Sequence, residues 1–232
     1  MSKRQQNDLH KVVDAEIQAD EEFLNGTLAN GVHLFSKHLD DGVAEIVYTP
    51  NRVGGNSDLI PLALGQEKAK LGLKYWRKFA FDDNGYVEEI QSTYEVWELE
   101  PEKELLSYHV EPEEGGKYPR AHFHIHGYLE AAQVLFEIAG RHKGVTGKFH
   151  LPVGGRGPGL VGVAEFLIIA ECVQARTGWQ DQVEKARKRG HDGQTRTMVR
   201  ESIEIVVAEL LSYGWQVIPP VRLTENKGVG DD

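Results

Sequence analysis

Cys172 is the only cysteine of the 232-residue chain, so no disulfide can close within it. That suits a reducing compartment and predicts a cytoplasmic protein. Cys172 itself reads as a small buried hydrophobe on a helix. A Cys–His nucleophile pair would need a histidine brought to it in space. Cations are short as well: 26 Lys and Arg against 36 Asp and Glu leave a formal net charge of −10. This argues against non-specific coating of nucleic acid, although a local basic patch can still hold a phosphate. Long apolar runs are missing. The longest, around Leu160 to Ala170, is interrupted by Gly162 and Glu165 and is too short and too polar to span a membrane. Met1 to Gln6 is polar with no apolar stretch behind it, so no signal peptide and no membrane partner are expected. No repeat recurs at a regular period, and no nucleophile-elbow spelling occurs.

What is present fits a soluble globular protein, 40% hydrophobic and 27% charged. The pattern predicts one α+β domain over residues 8–220, with flexible tails at 1–7 and 225–232. Its sheet is expected to be mostly antiparallel, with helices on one face and helical segments at both ends. Asp8 to Leu24 carries apolar residues at helical spacing, with Asn25-Gly26 as a stop. Val32 to Leu39 and Val43 to Thr49 read as a hairpin across Asp40-Asp41-Gly42. His33 and His38 fall on opposite faces of it, as surface or edge residues. Asn51 to Pro61 reads as a loop and Leu62 to Leu73 as a short helix. Three strands follow, over Lys74 to Phe81, Tyr86 to Leu99 and Glu104 to Glu111, joined by Asp82-Asp83-Asn84-Gly85 and by Glu100-Pro101-Glu102-Lys103. Glu130 to Arg141 suits a helix or a strand equally. Leu160 to Arg176 predicts an apolar helix on the sheet. Trp179 to Arg189 and Thr195 to Tyr213 predict two more, split at Gly190-His191-Asp192-Gly193. Ile203, Val206, Val207, Leu210 and Leu211 mark the buried stripe of the last. Trp215 to Ile218 suits a final short strand.

The stretch from Ala121 to Gly127 carries the chemistry. Alternation along a strand puts His122, His124 and His126 on one face and Ala121, Phe123 and Ile125 on the other. Parity adds Arg120 to the histidine face. Two such imidazoles can converge on one divalent metal, with His150 as the third ligand if Lys148 to Leu151 pairs nearby. Arg120 and Lys148 beside them disfavour a bare cation. The same mixture suits a phosphate-bearing ligand, with histidine as acid or base. A plain polar face, at a sheet edge or beneath a helix, accounts for the pattern too.

His122-Phe123-His124-Ile125-His126-Gly127-Tyr128 resembles the histidine-triad signature of nucleotide hydrolases and transferases. That resemblance implies His124 as nucleophile on a nucleotide phosphate. It covers seven residues, and Gly127 stands where that family carries an apolar side chain. A longer stretch resembles a group of mostly actinobacterial proteins of uncharacterised activity. They carry a Pro-x-Ala-His-x-His-x-His-Gly strand, then His-Leu-Pro-x-Gly-Gly-Arg, then an apolar Glu-Phe-Leu-Ile helix. The matching residues here are Pro119 to Gly127, His150 to Arg156 and Glu165 to Ile168. The resemblance implies that the two histidine elements form one structural unit, and it implies no activity.

Gly157-Pro158-Gly159-Leu160-Val161-Gly162 has the dinucleotide-binding spelling, but no parallel βαβ unit surrounds it. It reads as a tight strand-to-helix connection whose helix N-terminus can hold an anion through Gly157 with Arg156 assisting. Lys185 to Arg200 is basic. It reads as solvated helix faces or as a docking surface for nucleic acid or an acidic partner, with few aromatics for base stacking. Two functions therefore stand open. One is a phosphate-directed hydrolase of nucleotides or RNA, with His122, His124 and His126 as the catalytic candidates and Arg120 and Arg156 on the anion. The other is a non-catalytic binding protein, or a metal-binding one through His122, His124, His126 and His150.

Overall fold

The computed structural model of the chain describes residues 2–39, 42–49, 58–64, 68–83, 85–111, 121–126, 148–152 and 159–217. They form an α+β fold, with an eight-stranded antiparallel sheet and helices at both ends of the chain. The strands are β1 (Leu34–Leu39), β2 (Val43–Tyr48), β3 (Leu59–Pro61), β4 (Leu71–Phe81), β5 (Val87–Leu99), β6 (Glu102–Val110), β7 (Ala121–His126) and β8 (Lys148–Pro152). Their spatial order is β1-β2-β4-β5-β6-β7-β8, with β3 pairing β4 beside that path. The helices are α1 (Lys3–Thr27), α2 (Gly159–Ile169), α3 (Trp179–Glu201) and α4 (Ile203–Ser212). The chain divides into two compact units, 1–187 and 188–232, with the division inside α3. Among the described residues no helix is long and apolar enough to cross a membrane.

Helix α1 starts five residues before the apolar periodicity does, because Ser2 and Gln5 form a capping box. The Gln5 amide donates to Ser2 Oγ at 3.2 Å, and the Ser2 amide to Gln5 Oε1 at 2.9 Å. Asn25-Gly26 does not stop it. The helix runs to Thr27, whose hydroxyl donates to the Phe23 carbonyl at 2.7 Å. Asn25 instead turns the chain just after, exchanging side-chain bonds with the Val32 amide and carbonyl at 2.9 and 3.0 Å.

Leu9, Val13, Phe23 and Leu24 of α1 join Leu160, Val163, Ala164 and Leu167 of α2 in one core. That core lies against a row of rings crossing four strands in register: Tyr75, Tyr94, Tyr108 and Phe123. Their centroids are 5.7, 6.2 and 5.0 Å apart in turn, within the range of favourable aromatic pairing. The row ends in a charged knot under α1. Tyr75 donates to Asp20 at 2.6 Å, and Arg77 binds Asp20 at 2.6 Å, Glu16 at 2.8 Å and Glu89 at 2.7 Å through Nε. Burial, and then the Asp20 charge, hold the Tyr75 phenol well above its ordinary range. Burial alone would lower the Arg77 pKa; Glu89 and Asp20 more than offset it, so the guanidinium stays charged.

Several sequence expectations are corrected. Leu62 to Leu73 is not a helix: Leu62 to Leu64 is irregular, and Leu71 to Leu73 opens β4, pairing Pro61 and Ile60 through Gly72 and Leu73. Ile60 and Leu73 are both buried there, and that burial outweighs the helical spacing of the leucines. Helix α2 stops at Ile169, not Arg176, because Glu171 adopts φ 56° and the amides of Glu171 and Cys172 bond back to Ile168 and Leu167 at 3.0 and 2.9 Å. Cys172 therefore lies beyond the helix and is exposed, not buried. Gly190 and Gly193 do not split a helix; α3 passes through both, since each glycine costs only about 1 kcal/mol when nothing crowds it. The interruption falls at Ser202. The apolar stripe from Ile203 to Leu211 is on α4, but α4 buries none of its residues. Trp215 to Val217 is not a strand.

Leu59–Pro61, expected as the end of a loop, is strand β3 because Leu59 and Ile60 are buried against β4, and β6 begins at Glu102 inside the expected turn; the other strands lie within a few residues of where alternation and turn signals put them. Asp82 to Gly85 turns the chain with the Tyr86 amide on Asp82 Oδ1 at 2.7 Å and Gly85 at φ 80°. Residues 130–141 lie outside the described residues.

Candidate functional site

The sheet face opposite the aromatic row carries the histidines. Strand β7 pairs β6 on one side and β8 on the other, so each β7 residue has two cross-strand neighbours. His122 stands between His109 and Pro152, and His124 between Ser107 and His150. Directly opposed residues of an antiparallel pair are about 4.5–5.5 Å apart at Cα. The two histidine-bearing elements are therefore adjacent strands, and β8 brings residue His150 to the ladder position opposite His124.

The described imidazoles pack against one another, His109 stacked on His122 and on His124 and the last two tilted. His109 and His124 lie 4.6 Å apart between centroids with planes at 26°, and His122 and His124 4.7 Å apart at 32°. His109 and His122 are 5.8 Å apart and nearly parallel, at 7°. His122 is 2% exposed and His124 7%; Ser107 beside them is buried. Thr93 Oγ1 lies 3.5 Å from His109 Nδ1, a long contact, while His109 Nε2 is buried with no hydrogen-bond partner among the described residues. Burial lowers the His109 pKa, and neighbouring His122 lowers it further; Glu95, Glu111 and Glu104 pull the other way. Glu95 accepts from Trp97 Nε1 at 2.9 Å and sits 3.7 Å from Lys74, so its charge is shared along β4 and β5.

Of the residues that the sequence singled out, His122 and His124 come together. His126 ends β7 and His150 lies on β8 at the stated register. Arg120, Arg156 and Gly157 lie outside the described residues. His109 is the residue that sequence reading missed. The signal for it was available: a histidine on the strand preceding the His-x-His-x-His strand, which a meander brings alongside.

Three imidazoles with facing ring planes can hold different protonation states at once, because a proton on one disfavours a proton on the next. A metal ion takes ring nitrogens at about 2.0–2.1 Å. Among the described residues no group of three His, Cys, Asp or Glu side chains is arranged to do that. His33 and His38 stay apart from this face. His38 instead packs on His10 of α1 at 3.8 Å between centroids.

No family model, curated protein or solved structure matches the chain.

Proposed function

We propose that the histidine face of β6, β7 and β8 is an acid–base site for hydrolysis of a phosphate ester, with a nucleotide or RNA as substrate. The observation that carries the reading is the mutual contact of His109, His122 and His124 within 5.8 Å. Phosphoester cleavage asks for two groups of opposite protonation state at the same pH. His109, kept neutral by burial, serves as the base that takes a proton from the attacking water as its oxygen bonds to phosphorus. His124 is the acid that gives a proton to the departing oxygen as its bond to phosphorus breaks. Arg120 and Arg156 are the candidates to hold the anion. The single cysteine fits action in the cytoplasm.

Burial of His122 and His124 favours a second reading, a non-catalytic histidine stack that fastens β6 to β7. One experiment separates the two. The chain, purified without a histidine tag, is assayed against nucleoside phosphates, 2′,3′-cyclic nucleotides and single-stranded RNA over a pH series. The acid–base site gives a bell-shaped profile, and His109→Asn or His124→Asn lowers turnover by about 10²–10⁴-fold with folding intact. If no substrate turns over, or if both variants match the wild type, the hydrolase reading is lost. Lost stability without turnover assigns the stack.

A further inference from the structure

We propose that Thr93 is the positioning residue of the histidine site: its hydroxyl holds His109 in the tautomer protonated at Nδ1, which leaves the lone pair on Nε2. The proposal rests on the acid–base reading above, in which His109 takes a proton. Thr93 of β5 and His109 of β6 are directly opposed, and Trp76 of β4 opposes Thr93 on its other side. Thr93 Oγ1 stands 3.5 Å from His109 Nδ1, and among the described residues it is the only hydrogen-bonding atom at the ring. The branched Cβ of threonine restricts its rotation, so the hydroxyl keeps that place. Glu95, Glu104 and Glu111 bear on His109 by their charge. None of them hydrogen-bonds the ring, and Glu95 spends Oε2 on Trp97 and Lys74. Orientation of the imidazole therefore falls to Thr93.

A neutral imidazole has two tautomers, and burial decides between them here. His109 Nε2 is buried with no hydrogen-bond partner among the described residues. The Nε2–H form would strand a donor there. The Nδ1–H form spends its donor on Thr93 Oγ1 and leaves only an acceptor unsatisfied, the milder deficit. Thr93 is half-buried, so its own hydroxyl proton can go to water. A base takes its proton on a lone pair. In the Nδ1–H form that lone pair is on Nε2; in the other it lies on Nδ1, against Thr93. The role is the one that a carboxylate plays when it orients a catalytic histidine. A carboxylate in that place would draw a second proton onto the ring. A hydroxyl fixes the tautomer and leaves the ring neutral.

Long-range proton–nitrogen NMR spectra of the full chain, labelled in its histidines and recorded without substrate above pH 7, where His109 is neutral, read the tautomer directly. The His109 signals are identified by their loss in His109→Gln. The wild type is expected to show Nδ1 protonated and Nε2 bare. Thr93→Val keeps the branched shape and is expected to move the proton to Nε2, the form that free imidazole prefers in water. Thr93→Ser is expected to keep the wild-type pattern. On a phosphate ester that the chain hydrolyses, Thr93→Val is expected to lower kcat by about 10–100-fold with KM unchanged, as for a lost partner of a working histidine, and Thr93→Ser to restore it. A wild-type ring protonated at Nε2 overturns the proposal. So does a Thr93→Val ring that keeps its proton on Nδ1, or a Thr93→Val variant that turns over like the wild type. If no substrate turns over, the hydrolase reading is lost, and the tautomers of the wild type and of Thr93→Val still decide whether Thr93 holds the ring.

Discussion

Burying the Asp20 carboxylate commits the sheet to keeping Arg77. The two are 2.6 Å apart, Asp20 is 4% exposed, and Tyr75 spends its hydroxyl on the same oxygen. Arg77→Met leaves that carboxylate without its cation and is expected to cost about 3–5 kcal/mol in urea unfolding. Tyr75→Phe, which removes one donor, is expected to cost about 1–3 kcal/mol. On the other face, His109 makes stability depend on pH. Its folded pKa lies below the ordinary value of 6.5, so below pH 6.5 the unfolded chain binds the proton that the folded chain resists. The stabilisation is complete above pH 6.5 and is lost as pH falls toward the folded value. Urea midpoints measured from pH 7.5 down to 5 are expected to fall, and His109→Gln is expected to flatten that slope. His38, lowered mainly by burial and by His10, acts in the same direction, so His38→Gln serves as the control.

Among the elements, alternation was the most legible feature. The strand from Ala121 to His126 could be split into its two faces from the sequence because its period of two is unambiguous, whereas its pairing with β8 is a long-range contact that no local pattern reports. His109 escaped notice because one histidine in a strand carries no pattern until its neighbour is known. Element ends were legible where a local bond fixes them, as at Asp82 to Gly85 between β4 and β5. They were misread where the deciding group is a left-handed Glu171 or a cap at Ser2, outside the apolar period. Leu62 to Leu73 failed because leucines spaced for a helix also suit buried strand positions, and burial beside β3 decided between them. Gly72 sits at that junction. A Cβ there would meet Leu99 Cδ2 at 2.9 Å and Leu59 Cβ at 3.0 Å. The Leu99 tip can move; the Leu59 Cβ is fixed by the β3 backbone. Gly72→Ala is therefore expected to destabilise by about 1–3 kcal/mol in thermal or urea unfolding.

Over the whole molecule, the sequence pattern anticipated the antiparallel sheet with helices on one face, since alternation and turns report on pairing. It offered a polar face at a sheet edge or beneath a helix without deciding between them, because side chains such as His122 and His124 look solvent-facing until their neighbours are placed; Ser107, His122 and His124 are buried. The sheet's helical cover is fastened by Arg176. Its guanidinium donates to the Asn25 carbonyl at 2.6 Å and the Ala29 carbonyl at 3.3 Å and bonds Asn30, while its amide donates to the Thr27 carbonyl at 2.8 Å. Arg176→Ala removes all but the last of these. It is expected to cost about 1–3 kcal/mol and to speed tryptic cleavage near residues 176–189.

That clasp also sets a timetable. Arg176 and Asn25 stand 151 residues apart along the chain. Helix α1 leaves the ribosome before the sheet it covers, with Leu9, Val13, Phe23 and Leu24 facing nothing, and its clasp is translated only after every strand of the sheet. At about 5–20 residues per second, several seconds or more separate the two. Through that interval the nascent chain carries a sticky helix ahead of the sheet, and a chaperone that shields apolar helices would have its longest opportunity there.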